Sequence, residues 1–182
     1  MDKRADIVSG AATAFETHGF RGIGVDKVLE PSGASTRTLY KHFGSKDALV
    51  LAVLEERHRR FAKRLEAAAG GSDAVAILFD TLRRWLEEHG ARGCMLLRAR
   101  AEYSEASEEI VALVRRQKDE FHRMIAARVE AAVGRSDNRL ATQIWVLFEG
   151  ATAAASVADL SVIDDAKAAA ALLVDAARRN AG

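Results

Sequence analysis

One proline, Pro31, stands in 182 residues, and that scarcity narrows the fold more than any motif does. Proline in a helix interior removes a hydrogen bond and clashes with the preceding turn. A chain with one proline, rich in Ala, Leu, Arg and Glu, has little to interrupt long helices. No run of alternating β-branched residues is bounded by turn dipeptides, so strands have no signal. The expected class is all-α, with about nine helices.

Charge gives no easy answer about partners. The 27 cations and 26 acids nearly cancel, leaving +1. Any contact with nucleic acid must therefore come from local clustering. Apolar residues at 49 % and charged residues at 29 % fit a soluble globular chain. Cys94 is alone, which excludes an intrachain disulfide and fits a reducing cytoplasm. The opening "MDKRADIVSG" lacks the apolar core of a signal peptide. The apolar stretch 144–160 is broken by Glu149 and Asp159, too short and too polar to span a bilayer, so no membrane partner is expected.

Periodicity and punctuation set the helices. Ile7, Ala11, Ala14 and Phe15 mark one face of a helix over 3–18, which Gly19 stops. A short helix over about 25–30 follows, with Gly24 as its N-cap, and Pro31 turns the chain. Gly33 supplies the left-handed backbone of a tight corner. Ser35 caps a second short helix, 36–42, which Gly44 ends. Ser45 caps a long helix over 46–69. "GGS" at 70–72 is the clearest break. Further helices are expected near 73–89, 93–104, 107–133, 137–157 and 164–180.

Two short helices joined by a glycine corner make a helix-turn-helix. The second of them, with Leu39 and Phe43 turned to the core, puts Thr36, Arg37, Thr38, Tyr40 and Lys41 largely on its other faces. The major groove of DNA admits one such helix. Ser35 and Thr36 open it, where hydroxyls and amides meet phosphate. The Arg37 fork fits guanine O6 and N7. Lys46, in the first turn of the next helix, suits a phosphate. A solvated cationic face has the same composition, so the ordered context must decide.

That context is specific. Ala11, Phe15, Gly19–Phe20, "VDKV" at 25–28, "GAS" at 33–35, "TLYKHF" at 38–43 and "SKDAL" at 45–49 occur in order. Over residues 7–57 the chain resembles the amino-terminal domain of TetR-family (tetracycline-repressor-like) transcriptional regulators. The resemblance implies a three-helix helix-turn-helix DNA-binding domain over 1–48. An effector-binding and dimerisation domain follows over 49–182. It implies DNA contact by Thr36, Arg37, Thr38, Tyr40, His42 and Lys46, with Ser35 capping the recognition helix and Tyr40 and His42 on phosphates. Lys41 joins the set from its position. Gly24 departs from the usual Thr or Ser cap, which removes a phosphate contact.

One helix-turn-helix offers too little surface for tight, specific binding, and a two-fold pair on a palindromic operator solves this. The segment 140–160 is apolar nearly all round. Ile144, Leu147, Phe148 and Ala151 form one stripe on it, and Leu172, Leu173 and Ala176 lie on a second over 164–180. An intramolecular core would show the same stripes; the resemblance implies a four-helix homodimer interface there. Phe79, Leu82, Trp85, Met95, Leu96, Phe121, Met124 and Ile125 would line an effector pocket, or form plain core. The resemblance implies repression relieved when an unknown small molecule shifts the sixth helix and the fourth swings as a lever; activation is the alternative outcome. Cys94 is either an oxidant sensor or a small buried hydrophobe.

Two rivals complete the reading. Glu55-x-x-His58 and Asp119-x-x-His122 have the spacing of a di-metal carboxylate oxidase, to which Glu102 and Glu149 would add ligands. Asp119 is short for that role, and His58 sits in a charged stretch. The fold would otherwise serve only protein contacts. No cofactor is expected, nor is an enzyme: triad, zinc-ligand and nucleotide-cradling patterns are lacking.

Overall fold

The computed structural model describes residues 2–68 and 73–179. Among these the chain forms nine α-helices, one 3₁₀ turn and no strand. The break expected at 70–72 lies outside the described residues.

Local chemistry sets most boundaries. Helix α1 (Lys3–His18) starts where the Asp2 side chain accepts from the Arg4 N–H, and stops at Gly19, φ +78°. Helix α2 (Val25–Leu29) passes into a 3₁₀ turn, Glu30–Ser32, which holds Pro31 in its first positions. Gly33 then takes φ +58°, the left-handed corner expected of it. Helix α3 (Thr36–Phe43) is capped by Ser35 Oγ, which accepts from the Thr38 N–H. Ser45 Oγ accepts from the Ala48 N–H at 3.0 Å and opens α4 (Lys46–Ala67).

Helix α5 (Ala76–His89) begins later than expected, because Asp73 Oδ1 accepts from the N–H groups of Val75 and Ala76 and shapes a turn first. Helices α6 (Met95–Tyr103) and α7 (Glu108–Val133) follow. Helix α8 (Asn138–Ala154) is capped by Asp137 and stops short of the expected 157. Helix α9 (Ser161–Arg179) starts three residues early, since Asp159 Oδ1 accepts from the Ser161 N–H at 2.7 Å. Hydrogen bonding from the Ser161 hydroxyl, then from its N–H, holds the Asp159 carboxyl below its usual range.

The helices pack as two compact units, described separately. The first takes residues up to Arg60 and adds Met95–Arg116, so its packing extends past the boundary expected at residue 48. Its core holds Phe15, Phe20, Leu39, Leu49, Leu54 and Ile110, all fully buried. The Phe15 and Phe20 rings lie 5.1 Å apart, and Tyr103 meets Phe20 edge-on at 6.3 Å. The second unit comprises Phe61–Cys94 and the residues from Gln117 onward, where α5, α8 and α9 pack together. Its centre is aromatic. Phe61 meets Trp85 at 5.4 Å and Phe121 at 6.0 Å, and Phe121 meets Phe148 at 4.7 Å.

In the first unit, Gly10 lets α1 lie directly against the 3₁₀ turn. A Cβ there would stand 3.0 Å from the Ser32 nitrogen and 3.3 Å from Pro31 Cβ. Alanine would add about 1 kcal/mol of helix propensity. Overpacking against a backbone atom costs about 1–3 kcal/mol. Gly10→Ala is therefore expected to lower the urea midpoint; a raised midpoint would mean that the turn moves away freely.

Candidate nucleic-acid interface

Helix α3 is divided cleanly. Leu39 is fully buried and Phe43 is partly buried against the same core, with the Arg4 guanidinium 5.1 Å from the Phe43 ring centroid. Arg37, Tyr40, Lys41 and His42 are exposed, Tyr40 by 52 %. Arg37, Tyr40 and Lys41 form no hydrogen bond or ion pair among the described residues, so their polar ends are available. Among the described residues His42 keeps a tilted ring contact with Phe43, at 6.4 Å between centroids.

The hydroxyls are placed differently from the sequence expectation. Ser35 Oγ and Thr38 Oγ1 lie 2.8 Å apart and bond each other. Thr36 Oγ1 donates to Asp26 Oδ1 on α2 at 2.9 Å. Lys46, expected at a phosphate, donates instead to the Ile23 carbonyl, and burial lowers its pKa. It ties the start of α4 to the loop before α2. Of the eight residues anticipated, the fold thus presents four outward and gives four internal partners.

Sequence reasoning missed the residues that fasten this motif from α6. The Arg98 guanidinium donates to the Phe15 and Glu16 carbonyls in the last turn of α1, the first of which also accepts from the Gly19 N–H. The Glu102 carboxylate accepts from the N–H groups of Phe20 and Arg21 at 2.9 and 2.8 Å. The Tyr103 hydroxyl donates to Asp47 Oδ1 at 3.1 Å; burial, then the Asp47 charge, raises its pKa. The one available signal was the Arg98, Glu102, Tyr103 spacing along one helix. Nothing local identifies their partners, 56 to 83 residues earlier.

In the second unit, Phe79, Leu82, Trp85, Phe121 and Ile125 are buried in one cluster, with Met124 partly buried against it. Met95 and Leu96, expected beside them, belong to the core of the first unit. An open groove of about 300 Å³ lies elsewhere, lined by Arg64, Ala67, Ala68, Thr81, Arg84 and Glu88. Of the interface residues expected on α8, Ile144, Phe148 and Ala151 face their own unit's core and have almost no free surface. Helices α5 and α9 cover that side. Leu147, Leu173 and Ala176 are half-buried. The apolar side chains left open are Val146 on α8, 59 % exposed, and the anticipated Leu172 on α9, 70 % exposed.

Cys94 is partly exposed, and Lys118 Nζ lies 3.3 Å from its sulfur while donating to both Glu149 oxygens at 2.6 and 2.7 Å. The di-metal alternative loses its geometry. Among the described residues no three His, Cys, Asp or Glu side chains gather to hold a metal. Glu55 and Asp119 are exposed, and His122 Nε2 instead lies 3.2 Å from Thr142 Oγ1. No helix among the described residues is long and apolar enough to cross a membrane.

Comparison with known proteins bears on the same segment. The family model described as "Bacterial regulatory proteins, tetR family" matches residues 7–53. The HTH-type transcriptional repressor AcnR of Corynebacterium jeikeium is 36 % identical over 77 residues, 42 % of this chain and 40 % of that protein. The chain thus spans about two-fifths of this relative's length. The HTH-type transcriptional repressor NemR of Escherichia coli is 24 % identical over 115 residues, 60 % of this chain and 58 % of that one. A TetR-family transcriptional regulator from Streptomyces coelicolor shares the fold with a TM-score of 0.84, at 24 % identity over 97 % of this chain and 96 % of its own. A putative regulator of the same family from Streptomyces avermitilis is 26 % identical, with a TM-score of 0.79 over 97 % and 98 %.

Proposed function

We propose that the chain, whose residues 7–53 match the family model of tetR-family bacterial regulatory proteins, is a TetR-family regulator that represses transcription as a cytoplasmic homodimer bound to a palindromic DNA operator. A small-molecule effector releases it. The observation that carries this reading is the outward face of α3. Arg37, Tyr40 and Lys41 stand unpaired there, while Leu39 beneath them is fixed in the core. A rigid helix with free cations is what base and phosphate contacts require.

Two copies would join through α8 and α9, where Val146, Gly150 and Ala153 lie exposed beside Ala168 and Leu172. Small side chains there let helices approach closely, and the two bulkier apolar groups gain from burial. The effector is proposed to lodge in the aromatic centre of the second unit, between Phe79, Trp85 and Phe121. AcnR and NemR carry the name repressor, which favours repression over activation.

Selection of bound duplexes from random DNA tests the reading. An imperfect palindrome with half-sites about one helical turn apart is expected. Recovery of no preferred sequence, even in dilute salt, sinks it. On the selected duplex, Arg37→Ala is expected to cost about 1–3 kcal/mol and relax preference at one base pair per half-site. Lys41→Ala should instead weaken all sequences alike and reduce the salt slope, since a phosphate contact releases counterions.

A further inference from the structure

We propose that Asp26, which lies on α2 and outside the recognition helix, is a positioning residue for base readout: it holds the Thr36 hydroxyl so that the Thr36 methyl faces the groove and meets a thymine. The inference rests on the DNA-binding reading above and extends it to a base and to the residue that selects it.

Thr36 is the first residue of α3 and is partly exposed. Its Cβ carries a hydroxyl, a methyl and a hydrogen. The hydroxyl donates to Asp26 Oδ1 at 2.9 Å. A β-branched side chain with one arm tied has its χ1 fixed. With the hydroxyl engaged, the methyl is the side-chain group left to Thr36 for a base contact. Apolar contact with the thymine C5-methyl is the readout open to such a group. The neighbouring hydroxyls do not compete, because Ser35 and Thr38 bond each other at 2.8 Å.

Charge supports the same division. The Asp26 carboxylate forms no ion pair among the described residues, and it sits at the N-terminal end of α3. The helix end favours the carboxylate, but the carboxylate repels DNA phosphate. Lys41 and His42 occupy the last turn, at the other end of the helix, while Arg37, whose fork suits a base edge, stands near the first. The amino-terminal end of α3 is thereby kept for bases, and backbone contact shifts to the carboxy-terminal end.

The test uses the full chain and the selected operator, with each thymine replaced in turn by deoxyuridine, which removes only the methyl. Wild type is expected to lose affinity about fourfold per half-site at one position, the worth of one buried methyl. Thr36→Val should keep that discrimination and Thr36→Ser should lose it. Asp26→Ala should lose it as well. Asp26→Asn, whose carbonyl still accepts from Thr36, should retain it while binding random duplex more tightly. Operator binding that is indifferent to every deoxyuridine, or an Asp26→Ala protein with discrimination intact, overturns the inference and leaves the regulator reading standing. Failure of the wild type to select any duplex overturns both.

Discussion

Lys118→Met will lower the unfolding free energy by about 3–5 kcal/mol, the range for removing one partner of a buried ion pair. The side chains of Lys118 and Glu149 are only 14 % and 16 % exposed. Lys118 reaches both carboxylate oxygens at 2.6 and 2.7 Å. Removing the ammonium leaves a desolvated carboxylate without a counter-charge. Urea titration measures the loss. The double variant Lys118→Met with Glu149→Leu should recover most of the loss, because a well-packed apolar pair often replaces a buried ion pair without penalty. A single-variant cost below about 1 kcal/mol would mean that water screens the pair as at an exposed surface.

The contrast between what the sequence revealed and what it hid follows the reach of each interaction. Ser35, Ser45, Gly33 and Gly44 act on backbone within three or four residues, so a linear reading places them. Leu39 is legible for the same reason, since helical spacing alone aims it inward. Thr36 and Lys46 were assigned to DNA because nothing near them in sequence competes for their polar atoms. Their partners, Asp26 and the Ile23 carbonyl, lie 10 and 23 residues away. Arg98 and Glu102 act over more than 80 residues.

The α8 stripe is ambiguous for another reason. A helix apolar nearly all round has no inside that periodicity can identify. Ile144, Phe148 and Ala151 recur at helical offsets, and the side they mark is the one the unit's own core took. The exposed remainder is smaller in side chain and less conspicuous as sequence. Met95 and Leu96 were grouped with the aromatic residues by composition, yet α6 packs in the first unit, where Arg98 and Glu102 fasten it to α1.

Phe148→Ala is expected to cost about 3–5 kcal/mol, as large aromatic truncations do in cores that cannot collapse. Phe148 is 6 % exposed and lies among Phe121 at 4.7 Å, Phe61 at 6.0 Å and Phe79 at 6.1 Å. Those rings hold one another, so little can move in to fill the space. The variant also separates two views of this cluster. An apolar cavity left by a ring stays dry and takes up small aromatic molecules, and a ligand that binds only the folded state raises its stability by mass action. Toluene or indole should therefore raise the melting temperature of the variant. In the wild type the same additives act only to the extent that the rings part without mutation. A shift in the wild type as large as in the variant would identify the cluster as an open ligand site. A shift confined to the variant would identify it as core, and the effector would then have to enter elsewhere, with the groove beside Arg64 and Arg84 the next place to look.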